Sequence, residues 1–236
     1  MSNGRSADHS EAATEVVVLQ SGSTQLVLDL RQPMPVIVHL GPPIPAFDPQ
    51  LLDQPVAHAT LDSPAPLGII TEHGYGFGGR PGLMGHRGDG SGWSPLFTEA
   101  DQPVIGGPAE QPSSARFSIV DPVAELRLGL EVSVTEAETV VISAELTNEG
   151  DSPYALLRLA PSVPVPIHAV DLVTFSGRWC REFQPDRSSF DGLTVLENRR
   201  GRTSHEQLPA VFAGTFGFGE DHGDVWGVQL AWSGNY

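Results

Sequence analysis

The chain has 236 residues, with 29 acidic against 13 basic side chains and a formal net charge of −16, and every basic residue is an arginine. That balance argues against a nucleic-acid partner, which needs clustered Lys and Arg, and against docking on anionic lipid. Its single cysteine, Cys180, excludes an internal disulfide and a cysteine-based zinc site, and no apolar run approaches the ~18 residues of a membrane span.

Residues 1–13 are polar and acidic with no hydrophobic leader pattern, so a disordered tail and a cytoplasmic location are expected. Helix signals are scarce throughout: apolar spacing at i, i+3, i+4, i+7 is repeatedly broken by proline or glycine. Strand signals recur instead. Residues 14–19 and 25–30 are β-branched runs joined by a polar, glycine-containing turn and read as a hairpin. Residues 36–40 form a strand bracketed by prolines, which places it at an edge or stops it abruptly. Residues 41–66 are proline-rich and must be extended or looped, and the glycine-rich segment 74–92, followed by Trp93, also breaks the strand pattern.

The clearest pair comes next. Leu126, Leu128, Leu130, Val132 and Val134 alternate with polar or small residues, which puts one apolar face on a strand. Val140, Ile142, Ala144 and Leu146 repeat the pattern after a short turn, giving an antiparallel hairpin with one wet face. A turn at 148–153 leads to a strand at 154–159, and further strands are predicted at 169–175, 193–197, 211–216 and 225–232. Such short spacing indicates an all-β fold, a large antiparallel two-sheet β-sandwich with little or no helix, over residues 14–236 as one unit.

Most short motifs reduce to ordinary chain features. Gly74, Gly76 and Gly79 have dinucleotide-loop spacing, but Arg80-Pro81-Gly82 follows where a helix N-terminus is required. His205-Glu206 begins like a zinc-protease motif, yet Pro209 stands where the second histidine belongs. Asp221-His222-Gly223-Asp224 reads as an acidic turn between strands rather than a metal site. No metal and no cofactor is expected. The segment 73–97 is different, because aromatic and polar side chains alternate on a glycine-rich stretch. Trp93 offers a face for the apolar side of a sugar ring, and Asp89, Arg87 and His86 offer partners for its hydroxyls. The competing reading is a large loop pinned to the sandwich by its Trp and Phe side chains.

Three blocks in the last third carry a family likeness. Phe175-Ser-Gly-Arg178-Trp179-Cys-Arg181-Glu182 is followed by Asn198-Arg-Arg-Gly201-Arg-Thr203-Ser204-His205, and then by a tryptophan-containing run ending in Ser233-Gly234-Asn235. In this order and spacing they resemble the N-terminal domain of glycoside hydrolase family 36, whose members are mostly α-galactosidases. The resemblance implies an N-terminal β-supersandwich, a (β/α)₈ barrel and a small C-terminal β-domain, with a retaining mechanism run by two aspartates on barrel strands. The barrel is expected to lie outside this sequence, so no residue here is assigned a catalytic role. What the resemblance implies instead is a non-catalytic segment that packs on the barrel and shapes the entrance for a galactose-containing oligosaccharide, in a homo-oligomeric enzyme. Arg178, Trp179, Glu182, Gly201, Ser204, His205, Ser233, Gly234 and Asn235 are then structural or interdomain residues. A free-standing carbohydrate-binding module and a structural assembly domain are the alternatives from other functional classes.

Overall fold

A computed structural model describes residues 15–53 and 67–236; the expected tail at 1–13 and the later part of the proline-rich segment lie outside the described residues. Among them are fourteen strands and two short 3₁₀ turns, Pro49–Asp53 and His73–Tyr75. Every strand pair is antiparallel. The all-β sandwich expected from the sequence is what forms. The chain divides into two compact units, Met1–Val163 and Pro164–Tyr236, within what the sequence presents as one run of strands.

The first unit holds ten strands: β1 (Val16–Ser21), β2 (Thr24–Asp29), β3 (Val36–Gly41), β4 (Leu83–Arg87), β5 (Glu99–Ala100), β6 (Val104–Gly106), β7 (Ser114–Asp121), β8 (Leu126–Val134), β9 (Val140–Asn148) and β10 (Tyr154–Leu159). β1 and β2 form the predicted hairpin across Gly22, whose φ of 53° suits a two-residue turn, and β3 sits at the edge of their sheet as expected. A second sheet runs β5-β7-β8-β9, with β6 also on β7. The β8–β9 hairpin pairs Val134 with Val140 as its innermost register. Leu126, Leu128, Leu130, Val132 and Val134 are all buried, and β9 leans Val140, Ile142, Ala144 and Leu146 on the same core. Leu19, Leu26 and Leu28 of the first sheet face that core too, so the two sheets close on one apolar layer. Each fully buried aliphatic side chain there contributes roughly 1.5–3 kcal/mol.

The second unit is one four-stranded sheet, β12-β11-β13-β14, from β11 (Asp171–Arg178), β12 (Arg181–Ser189), β13 (Gln207–Gly214) and β14 (Val225–Gln229). Its buried apolar cluster is small, Ala169, Leu172 and Ala213, with Val165, Val211 and Trp226 leaning on it. Pro209 lies within β13, where the register against β11 shifts between Thr174 and Ser176, an irregularity that accommodates a residue with no N–H to give.

Several expectations are corrected here. Residues 193–197 form no strand: no neighbouring backbone pairs with them, and Leu193 and Val195 are exposed. β7 appears where no strand was expected, burying Ala115, Phe117 and Ile119 at period two. The segment 73–97 is not one loop, because β4 runs through it and pairs with β10. β12 also forms against expectation, although it is polar and carries Pro185 at its centre. Its backbone pairing with β11 holds it in place.

Candidate functional site

The end of β4 and the turn that follows it carry the residues singled out for sugar contact. Glu72 precedes the 3₁₀ turn His73–Tyr75, which ends on Gly76 in the left-handed region at φ 88°. After β4, a tight turn closes: Arg87 N–H donates to Ser91 O at 2.8 Å, and Gly90 N–H donates to Arg87 O at 2.9 Å. Asp89 Oδ1 accepts from Ser91 N–H and Oγ–H at 2.9 and 2.7 Å, and those two donors hold its exposed carboxyl below the usual range. Tyr154 Oη–H then donates to Gly92 O at 3.0 Å and ties the end of the turn to β10. Trp93 stands next to this fixed point and is 67% exposed. Phe97, four residues on, is fully buried. Phe97 therefore pins the segment, and Trp93 does not share in that burial.

The hydroxyl partners are placed differently from one another. His86 is exposed, with Nδ1 2.8 Å from the Arg87 carbonyl. Arg87 is 7% exposed and turned inward. Its guanidinium donates to Ser152 O at 2.5 Å, Ser152 Oγ at 3.0 Å, Ala124 O at 2.7 Å and Asn148 Oδ1 at 3.1 Å, and it pairs with Glu125 at 3.6 Å. A fork committed on every side crosslinks the ends of β8, β9 and β10. Trp93, Asp89 and His86 thus share the turn region, while Arg87 braces it from inside.

Two buried carboxyls behind this segment, Glu72 and Asp121, were not singled out from the sequence. Glu72 Oε1 accepts from Phe97 N–H at 2.8 Å, and Asp121 Oδ2 accepts from Leu96 N–H at 2.7 Å. Asp121 also takes Val123 and Ala124 N–H at 2.8 and 2.9 Å. Burial pushes the Glu72 carboxyl up to about 7; the Phe97 N–H opposes the rise and the nearby Asp121 charge adds to it. An acidic residue directly after the buried run Ile69-Ile70-Thr71 is the signal that marks it.

In the second unit, two of the three family-like blocks are brought together. Gly201 N–H donates to Asn235 Oδ1 at 2.5 Å, Thr203 N–H to Ser233 O at 2.7 Å, and Asn198 and Tyr236 exchange backbone hydrogen bonds at 2.9 and 3.0 Å. Buried Asn198 adds side-chain bonds to Arg202 O at 2.9 Å and Ser204 Oγ at 3.4 Å. Gly201 needs its φ of 75°, and Gly234 packs where a Cβ would lie 2.5 Å from Trp232 Nε1. A polar cleft of about 370 Å³ opens beside this clip, lined by Glu197, Arg199, Arg200 and Glu206 among others. His205 lies half-buried in the connection to β13, and its carbonyl is close to Gly177. The remaining block forms the β11–β12 hairpin: Glu182 Oε1 accepts Cys180 N–H at 3.0 Å, Arg178 faces Arg181 across the ladder, and Trp179 is 79% exposed. In the β13–β14 turn, His222 contacts two acceptors, Asp221 Oδ1 at 2.6 Å and Gly217 O at 2.8 Å, and both raise its pKa. Among the described residues, no group of three His, Cys, Asp or Glu is arranged to hold a metal ion.

Known proteins share this sequence and fold. Residues 33–236 match the glycosyl hydrolase family 36 N-terminal domain. An alpha-galactosidase of Escherichia coli is 38% identical over 222 residues, covering 92% of this chain and 30% of the relative. Alpha-galactosidase AgaA of Geobacillus stearothermophilus is 32% identical over 116 residues, covering 46% of this chain and 16% of that protein. Its crystal structure superimposes with a TM-score of 0.76 at 21% identity, over 93% of this chain and 34% of that one. The Lactobacillus brevis alpha-galactosidase gives 0.74 at 22% identity, over 93% and 33%. The chain thus spans about a third or less of the relatives it matches. The match across residues 33–236 shows the family: the chain belongs to glycosyl hydrolase family 36, as its N-terminal domain.

Proposed function

We propose that this chain is the non-catalytic N-terminal segment of a cytoplasmic, homo-oligomeric enzyme that hydrolyses terminal α-galactosides. It packs on the catalytic barrel and shapes the substrate entrance. The observation that carries this reading is the 38% identity to an alpha-galactosidase over 92% of the chain, which spans only 30% of that relative. Two features of the molecule support the finer roles. Trp93 is an exposed aromatic on a turn whose geometry is fixed by Arg87, Asp89 and Tyr154, as a stacking platform requires. The second unit exposes Trp179, Phe216 and Trp232, large apolar surfaces that a partner would cover.

The test has two arms. The purified 236-residue chain is expected to give no turnover of an aryl α-galactoside, and measurable turnover overturns the reading. In the complete enzyme, Trp93→Ala is expected to raise KM for raffinose several-fold while kcat changes little, since a lost stack removes binding common to ground and transition states. An unchanged KM removes the role of Trp93 at the entrance.

A further inference from the structure

We propose that Glu72 and Asp121 form a proton-dependent latch that holds the segment 73–97 closed when Glu72 is protonated and loosens it when Glu72 ionises. The inference concerns the order of that segment whether or not a sugar touches Trp93, so it stands apart from the functional reading above.

The geometry is that of a clasp. Leu96 and Phe97 offer consecutive backbone N–H groups, and each is taken by a different carboxyl: Asp121 at the end of β7, and Glu72 at the start of the segment. Glu72 also receives Phe77 N–H on its own carbonyl at 3.3 Å. One residue therefore ties the segment near both of its ends. Both acids are buried, Glu72 at 6% and Asp121 at 4% exposure, and Phe97 has no exposed surface.

The charges around the clasp are one-sided. Asp121 faces Glu72 from β7, and Tyr75 faces it from the 3₁₀ turn, feeling its charge. Gln32, Met34 and Val36 join Gly68 and Ile70 around a small cavity of about 10 Å³ beside Glu72 and bring no charge. Arg87, the buried cation of this region, is spent on Ala124, Asn148, Ser152 and Glu125. Among the described residues, no Arg or His forms an ion pair with either acid. Asp121 has three N–H donors and Glu72 one, so Glu72 has the weaker support for a negative charge. Opening the segment lets water reach it, which is how a buried carboxylate without a cation is relieved.

The sign follows from burial raising the Glu72 carboxyl from 4.5 to about 7 in the closed form. Closure has its full proton contribution below the unperturbed value, loses it as pH rises to about 7, and is flat above that. The closing equilibrium weakens by up to ~10-fold per pH unit between those limits.

The decisive experiment uses the 236-residue chain between about pH 5 and about pH 8. Carbon NMR follows the Glu72 carboxyl, and hydrogen exchange gives the protection factors of the Leu96 and Phe97 amides, with the Leu128 amide reporting whole-chain opening. The expected result is a Glu72 midpoint near neutrality and a fall in Leu96 and Phe97 protection on the order of 100-fold, with Leu128 unchanged. Glu72→Gln should hold protection level across the range, and Asp121→Asn should move the Glu72 midpoint to lower pH. A midpoint below about 5, or wild-type protection that stays level while Glu72 titrates, overturns the latch. So does a Glu72→Gln chain whose protection still falls like the wild type. If either variant fails to fold, the wild-type titration and exchange still decide.

Discussion

Arg87 looks from its neighbours like a hydroxyl partner for a sugar, because His86, Asp89 and Trp93 surround it in a glycine-rich stretch. The structure gives it an interior task, bridging carbonyls 37 and 65 residues away. Sequence proximity reveals chemistry of the local turn, but not partners that only the fold delivers. Replacing Arg87 with Met would remove one donor each from Ser152 O, which keeps the Asn148 amide, and Asn148 Oδ1, which keeps Gly150 N–H, and would take the guanidinium away from Ala124 O. The expected loss is ~3 kcal/mol in urea denaturation; a loss within ±0.5 kcal/mol would show that those bonds are not sustained in solution. Trp93 and Phe97 are a similar case at closer range. Both are aromatic, yet only the second lies where the buried carboxyls fix its backbone. The residues of the family-like blocks were readable as a set. Their mutual bonds were not, because Gly201 and Asn235 stand 34 positions apart.

Individual elements were legible where a strand has one dry and one wet face. β8 and β9 alternate cleanly, so both their extent and their pairing follow from side-chain period alone. β4 and β12 lack that pattern. A glycine, Gly85, occupies the centre of β4 because β10 comes very close to it: a Cβ there would run into the Tyr154 ring and meet the Ala155 carbonyl at 2.8 Å. A backbone oxygen cannot swing aside as a side chain can. Gly85→Ala should therefore destabilise the chain by about 1–3 kcal/mol, read as a lower thermal midpoint. Because Tyr154 also holds Gly92, the same variant should shift Trp93 fluorescence; an unchanged midpoint would refute the crowding argument. Residues 193–197 show the opposite failure, with strand-forming side chains present and no backbone neighbour to pair with.

Across the whole molecule, the period-two alternation and short strand spacing predicted an all-β body, and the family blocks predicted its kind. The division into two units was harder to see, since the closely spaced strands of residues 14–236 read as one unit. The units are unequal in their own apolar packing: an extensive buried cluster in the first, three small or medium side chains in the second. Charge is the other global property. With 29 carboxylates against 13 arginines, self-repulsion acts on the folded chain at neutral pH. Raising the ionic strength from about 0.01 to about 0.15 M shortens the Debye length from roughly 30 to roughly 8 Å. The thermal midpoint should rise over that interval, and a fall would mean that the surface arginine pairs outweigh the net repulsion.

The tip of the β11–β12 hairpin offers an unplanned tool. Cys180 is the sole thiol of the sequence and it is exposed, directly beside Trp179. A maleimide dye will thus attach at one known position without any mutagenesis, next to an indole able to quench it, and its brightness will report directly whether anything comes to rest on that corner.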